Sequence, residues 1–287
     1  MNYSEEQYLN LVKKILVFGD DKVDRTNVGT YSVFGEQLKF SLSNEFPLLT
    51  CKKVFFRGVF EELNWFIKAR TSAHELSQKG VKIWDQFGTQ ENLEKLNLNY
   101  QNGDLGPIYG FQWRHFNAKY ENSKSDYTDK GVDQLANVIS EIKSNPNSRR
   151  LFVSAWNPCQ LSEMALPPCH VSFQFYVNNS KLSCHMYQRS CDVLLGLPFN
   201  IASYALLTYM IANICELSPH ELTISLGDVH IYKNQLEHVK TLVERKPFLF
   251  PKLEIKTKKE KIEDFTYEDF VLHDYNYHEH LPFALNV

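Results

Sequence analysis

At 287 residues, with 43% hydrophobic and 14% aromatic side chains, the chain can bury one large core or two small ones. Its formal net charge of −3 supplies no global attraction for nucleic acid or an anionic membrane. The six cysteines (Cys51, Cys159, Cys169, Cys184, Cys191 and Cys215) form no CxxC pair and no small secreted framework, so a reducing compartment is expected.

The N-terminus carries neither a basic stretch nor an apolar core, and no signal peptide is expected. Ser4 with Gln7 reads as a capping box, after which Tyr8, Leu11, Val12, Ile15 and Leu16 fall on one helical face and Gly19 suits the stop. Residues 31–40 are strand-like. Residues 54–69 repeat the helical period through Phe56, Val59, Phe60, Leu63 and Ile67. Residues 86–106 read as loop and 120–131 as a polar surface excursion, followed by a helix over about 132–144. Short strands are expected at 151–156, 171–177 and 182–188. A buried helix then follows Pro198; its apolar stretch, 201–215, is too short to span a bilayer. A strand at 223–226 and a helix at 234–244 complete the pattern, and the lysines of 256–261 read as a solvated edge. With no internal repeat or composition shift, the expectation is one mixed α/β domain built on a large mixed sheet flanked by helices, the length leaving no room for a second, fused domain.

The run Leu166-Pro167-Pro168-Cys169-His170 places a thiol behind two residues of fixed φ. Twenty residues on stands Arg189-Ser190-Cys191-Asp192. Strand pairing of the intervening segments could bring Arg189 beside Cys169, and a guanidinium favours the reactive thiolate. Glu62 sits in a helix crowded with Phe56, Phe60, Trp65 and Phe66, where desolvation would hold a carboxyl partly neutral for acid/base work. Successive helical residues point about 100° apart, so only one of Glu61 and Glu62 should face a pocket, with Glu61 read as the exposed member. Cys169-His170 and Cys184-His185 resemble a zinc set by eye, but neighbours on a strand face opposite sides, so no metal site is expected. There is no GxGxxG fingerprint and no Walker loop.

Taken in order, several blocks resemble the thymidylate synthase family over nearly the whole chain: Asp24-Arg25-Thr26, Glu61-Glu62-Leu63-Asn64-Trp65, 106–114, Arg149-Arg150, 166–177, Gln188 to Asp192, 196–200 and Gly227 to Tyr232. The resemblance implies reductive methylation of deoxyuridylate (dUMP) to thymidylate (dTMP), with 5,10-methylenetetrahydrofolate as carbon donor and reductant. It implies Cys169 as nucleophile, with Glu62, Tyr109, Asn200 and Arg189 completing the catalytic set. For the nucleotide it implies Arg25, Arg189, Ser190, Cys191, Asp192, Asn200, His230, Ile231 and Tyr232, with Arg149 and Arg150 lent across a homodimer whose sheets stack face to face. For the folate it implies Lys52, Phe55, Ile83, Trp84, Asp192, Leu195, Gly196, Phe199 and Asn286. A carboxamide at Asn200 can accept from N3–H and donate to O4 of uracil, and cytosine presents the opposite pattern. That argues against a deoxycytidylate hydroxymethylase, while intact Cys169, Glu62 and Asn200 argue against a silent RNA-binding regulator. A cytoplasmic enzyme is expected, with room for a nuclear pool and no membrane attachment. The chain departs from the family pattern at Asn64, where an apolar residue is usual, and in its C-terminal tail from Tyr275 onward, so tail closure over ligands is the least firmly implied feature.

Overall fold

The computed structural model describes residues 2–24 and 26–286. In chain order the helices are α1 (Tyr3–Phe18), α2 (Phe56–Ile67), α3 (Ala73–Ser77), α4 (Gln90–Lys95), α5 (Tyr109–His115), α6 (Gln134–Ser144), α7 (Gly196–Ile214) and α8 (Leu236–Glu244). The strands are β1 (Asp20–Lys22), β2 (Thr30–Ser41), β3 (Phe152–Ser154), β4 (His170–Asn178), β5 (Lys181–Asp192), β6 (Ser218–Tyr232), β7 (Lys252–Ile255) and β8 (Phe270–His273). Six strands form one mixed sheet in the order β1-β2-β6-β5-β4-β3, and β7 pairs with β8 separately. Only the β5–β6 pair in the large sheet is parallel, and α7 provides the crossover it requires.

Helix α7 is apolar around its whole circumference, which is what a helix packed on all sides needs. By length and composition it would pass for a membrane span, but 83% of the stretch is buried inside the protein, against β5, β6 and α2. It begins at Gly196, ahead of Pro198, so that Pro198 occupies the first turn, where its missing N–H costs nothing.

The β4–β5 hairpin decides the chemistry downstream. Asn179 and Ser180 form its two-residue turn, with φ of 49° and 57°. Two positive φ values give the turn whose twist matches that of the flanking strands. Asn178-Asn179-Ser180, which has the form of a glycosylation sequon, is thus occupied by a tight turn. Pairing runs from Asn178↔Lys181 to His170↔Gln188, with an irregularity between His170 and Ser172.

Local expectations are corrected at several points. Asn2, not Ser4, caps α1: its Oδ1 accepts from the Glu5 N–H at 3.1 Å, while Gln7 Nε2 donates to the Ser4 carbonyl. The excursion at 120–131 is not wholly surface. Tyr120 and Tyr127 are buried and stack at 5.7 Å over Phe111, forming a small second core. Strand β6 extends across Ser218–Tyr232, far beyond the expected four residues. Glu61 is buried too, held by Lys79 Nζ at 2.6 Å.

Candidate active site

The hairpin register places the end of β5 against the residues preceding β4. The Arg189 N–H donates to the Cys169 carbonyl at 2.8 Å, so the two residues sit side by side, as the sequence suggested. A one-residue slip would send the alternating side chains to the opposite face. The guanidinium is fixed in turn: Nε donates to the Pro168 carbonyl at 2.8 Å, Nη2 to the Pro167 carbonyl at 2.9 Å, and the group lies 5.3 Å from the Trp156 ring centroid. The two prolines therefore do more than stiffen the approach to Cys169, because their carbonyls also aim Arg189.

On the other side, the Cys169 N–H donates to the Tyr109 hydroxyl at 2.7 Å. Tyr109 begins α5 and stacks on Phe66 of α2 at 4.9 Å. Burial pushes its phenol well above the ordinary range, so it remains protonated. Phe66 shares α2 with Glu62, whose Oε1 accepts from Trp84 Nε1 at 2.7 Å. Burial lifts the Glu62 carboxyl to about 7, the indole hydrogen bond opposing only part of the desolvation. A carboxyl poised there can hold or release a proton near neutral pH.

These groups line one cavity of about 270 Å³. Glu62, Tyr109, Cys169, Arg189, Ser190, Asn200, His230 and Tyr232 face it on the polar side, and Ile83, Trp84, Leu195, Gly196 and Asn286 form part of its wall. Asp192 also lines it, but one carboxylate oxygen is committed to the loop leading into α7, accepting from the N–H groups of Leu194 and Leu195 at 2.9 and 3.0 Å. Its other oxygen accepts from Gln235 Nε2 at 3.1 Å, and Gln235 Nε2 also donates to the Ala284 carbonyl at 2.9 Å. The C-terminal tail is thereby tied to the cavity rim. His230 Nδ1 lies 3.0 Å from Asp228 Oδ1, a contact that with Lys22 holds the Asp228 carboxyl down at about 2.

Other sequence-derived candidates lie elsewhere. Arg25 is outside the described residues. Lys52 is buried, its Nζ donating to the Leu194 carbonyl behind the cavity, and burial lowers it to about 8. Phe55 is half-exposed before α2, Phe199 is partly buried in the first turn of α7, and Cys191 and Ile231 are fully buried; none of these lines the cavity. Burial pushes the Cys191 thiol well up. Arg149 and Arg150 are exposed on the connection between α6 and β3, outside the cavity of their own chain.

Two polar lining residues escaped the sequence reading as site residues, His170 and Gln188. The His170 ring packs 4.3 Å from Tyr109 and its Nδ1 lies 2.8 Å from the Tyr204 hydroxyl. Burial drives its pKa down to about 3, so it is neutral and holds Tyr109 from behind. The available signal was the alternation of β4 and β5, which makes His170 and Gln188 a facing pair beside Cys169. His185 faces solvent and bonds Ser225, whereas Cys184 is buried. Cys184 and His185 are thus split between faces, whereas Cys169 and His170 both line the cavity, and the described residues contain no cluster of three or more metal-ligating side chains.

Fold and cavity together define a class: a mixed α/β protein that gathers a thiol, a carboxyl poised near neutrality and a tethered guanidinium over an apolar wall. Residues 6–287 match the family model for thymidylate synthase. Thymidylate synthase of Homo sapiens is 56% identical over 99% of this chain and 91% of that protein. That of equine herpesvirus 2 is 54% identical, with both chains covered in full. The bifunctional dihydrofolate reductase-thymidylate synthase of Paramecium tetraurelia is 54% identical over 99% of this chain, which spans 62% of that protein. The chain belongs to the thymidylate synthase family.

Proposed function

We propose that the chain converts dUMP to dTMP with 5,10-methylenetetrahydrofolate as co-substrate. The observation that carries this reading is the hairpin register, which sets Cys169 beside the tethered Arg189 in a cavity that also presents Glu62 and Asn200. Arg189 and Ser190 suit the nucleotide phosphate, since a planar guanidinium fork matches phosphate oxygens. The Asn200 carboxamide suits the N3–H and O4 edge of uracil. His230 and Tyr232 lie at the same wall and suit the sugar hydroxyl.

In this reading the Cys169 sulfur adds to C6 of the pyrimidine, and the electron pair displaced from the C5–C6 bond makes C5 nucleophilic. Asn200 stabilises the charge that develops at O4. Tyr109 anchors the nucleophile's backbone, and Glu62 holds the proton that must come and go at C5 and O4, its carboxyl being suited to both directions near pH 7. The folate supplies the one-carbon unit and the hydride that completes its reduction to methyl. The wall of Ile83, Trp84 and Leu195 fits its flat ring system, with the Asp192 carboxylate as a polar contact. Cys169 is expelled when the C5–C6 double bond re-forms. A thiol nucleophile also suits the reducing cytoplasm. Purified protein given dUMP and methylenetetrahydrofolate should produce dihydrofolate absorbance in step with dTMP; folded protein yielding neither would overturn the assignment.

We also infer a homodimer. The sheet face away from α7 exposes Tyr176, His185 and Tyr187 and carries a broad depression of about 560 Å³, and Arg149 and Arg150 project outside their own cavity. A copy stacked on this face would cover these side chains, and the two arginines would be free to serve the partner's phosphate. Co-refolding an Arg149→Ala/Arg150→Ala chain with a Cys169→Ala chain should then restore roughly a quarter of wild-type activity, because about half of randomly paired dimers are mixed and each has one intact site. Mixed dimers without activity would sink the donated-arginine arrangement.

A further inference from the structure

Strand β6 ends at Tyr232 and leads through a single 3-10 turn, Lys233–Gln235, into α8. Gln235 is 1% exposed, so its carboxamide must meet its hydrogen-bonding capacity inside the protein. Its Oε1 accepts from the Tyr232 N–H at 3.1 Å, which fixes the way the amide faces. Nε2 then presents two N–H groups, and each meets an oxygen: Asp192 Oδ2 at 3.1 Å and the Ala284 carbonyl at 2.9 Å.

These three partners belong to different parts of the active-site cavity. Tyr232 and Asp192 line it, and Ala284 lies in the tail whose next two residues, Leu285 and Asn286, line it as well. Oδ1 of Asp192 is already tied to the Leu194 and Leu195 N–H groups, so Gln235 settles where Oδ2 points. Neighbouring side chains hold the tail beside it. Asn234 and Asn286 exchange reciprocal amide hydrogen bonds at 2.8 and 3.2 Å, and the His238 ring of α8 packs 6.2 Å from that of Phe283. No side chain of similar length replaces the amide: glutamate carries at most one donor, methionine none, and lysine has no acceptor.

We propose that Gln235 is a positioning residue for the carbon-donor half of the reaction, holding Asp192 and the tail as one wall in register with the nucleotide wall at Tyr232. The inference rests on the proposed methylation of dUMP, in which Asp192 is a polar contact of the folate. Gln235 touches neither substrate and acts through the oxygen it orients and the tail it holds. Without its two donors Asp192 Oδ2 is free to turn and the tail to lift. The folate then loses a preformed contact and its cover, while Arg189, Ser190 and Asn200 still hold the nucleotide.

The test compares Gln235→Met and Gln235→Glu with the wild-type protein by steady-state kinetics, equilibrium dUMP binding, and amide hydrogen exchange over residues 281–286 without ligands. In Gln235→Met the KM for methylenetetrahydrofolate should rise at least about tenfold, the scale of one lost hydrogen bond to a charged group. Tail exchange should quicken by a similar factor, and dUMP affinity should stay within about threefold. Gln235→Glu keeps an acceptor for Tyr232 but, ionised or protonated, lacks the second donor, so it should show at least one of the two losses. A Gln235→Glu protein matching wild type in both would mean that the amide serves Tyr232 alone and would overturn the proposal. So would Gln235→Met with folate KM or tail exchange unchanged, or with dUMP binding weakened as much as folate use, the mark of a general loosening. Wild-type turnover separates the two claims: without it the reaction assignment itself falls, whereas an active wild type beside unaffected variants removes only the role given to Gln235.

Discussion

Cys169→Ala is expected to lower turnover by roughly 10⁴-fold or more while leaving dUMP bound. The size of the loss follows from the chemistry. Without a sulfur to add at C6, the pyrimidine has no route to a nucleophilic C5, and no other group in the cavity can replace it: Cys191 is fully buried with a thiol pushed well up, and Tyr109 is held protonated. Binding should survive because Arg189 is held through the Pro167 and Pro168 carbonyls and not through the Cys169 side chain. Equilibrium binding of dUMP should stay within a few-fold of wild type, and 5-fluorodeoxyuridylate with the folate should give a covalent adduct on the wild-type protein alone. An adduct mapped to another cysteine would overturn the nucleophile assignment.

Glu62→Gln should cost about 10²- to 10⁴-fold in turnover and yet make the protein more stable at alkaline pH. The Glu62 carboxyl, at about 7 in the fold against an ordinary 4.5, binds its proton more tightly folded than unfolded. Its contribution to stability is therefore intact below about pH 4.5, falls as pH rises toward 7, and levels off above it. The full difference is on the order of 3 kcal/mol. Glutamine keeps an acceptor for Trp84 Nε1 without a charge to desolvate. Denaturation midpoints for the two proteins should converge near pH 5 and separate near pH 8, the variant being higher. If instead they track each other across that range, Glu62 is not the perturbed group.

The sequence carried the helical core well because α2 and α6 declare themselves through apolar spacing and α7 through a long, nearly unbroken apolar run. It carried the heart of the site because Cys169 and Arg189 end adjacent strands of a short hairpin, a local relation. What it missed was non-local. Glu61 appeared solvent-facing, but its buried carboxylate is answered by Lys79, eighteen residues away in the turn after α3. Tyr120 and Tyr127 sit in a stretch whose polar composition hides their mutual stacking. β6 reads as four residues because His220, Glu221, Asp228 and His230 interrupt its apolar alternation, and only pairing on both edges shows its full length.

The position of β6 also governs the order in which the chain can fold. It lies between β2 and β5, so the strand that completes the sheet's centre is finished about 190 residues after β2 has been synthesised. At ordinary synthesis rates that is a wait of roughly 10–40 s, during which β2 presents an open backbone edge. Once β6 arrives it must close two long-range pairings at once, one of them parallel, and such contacts form slowly because loop closure precedes any gain from them. Nascent chains should accordingly stay protease-sensitive in β2 until synthesis passes Tyr232, and then become protected in a single late step.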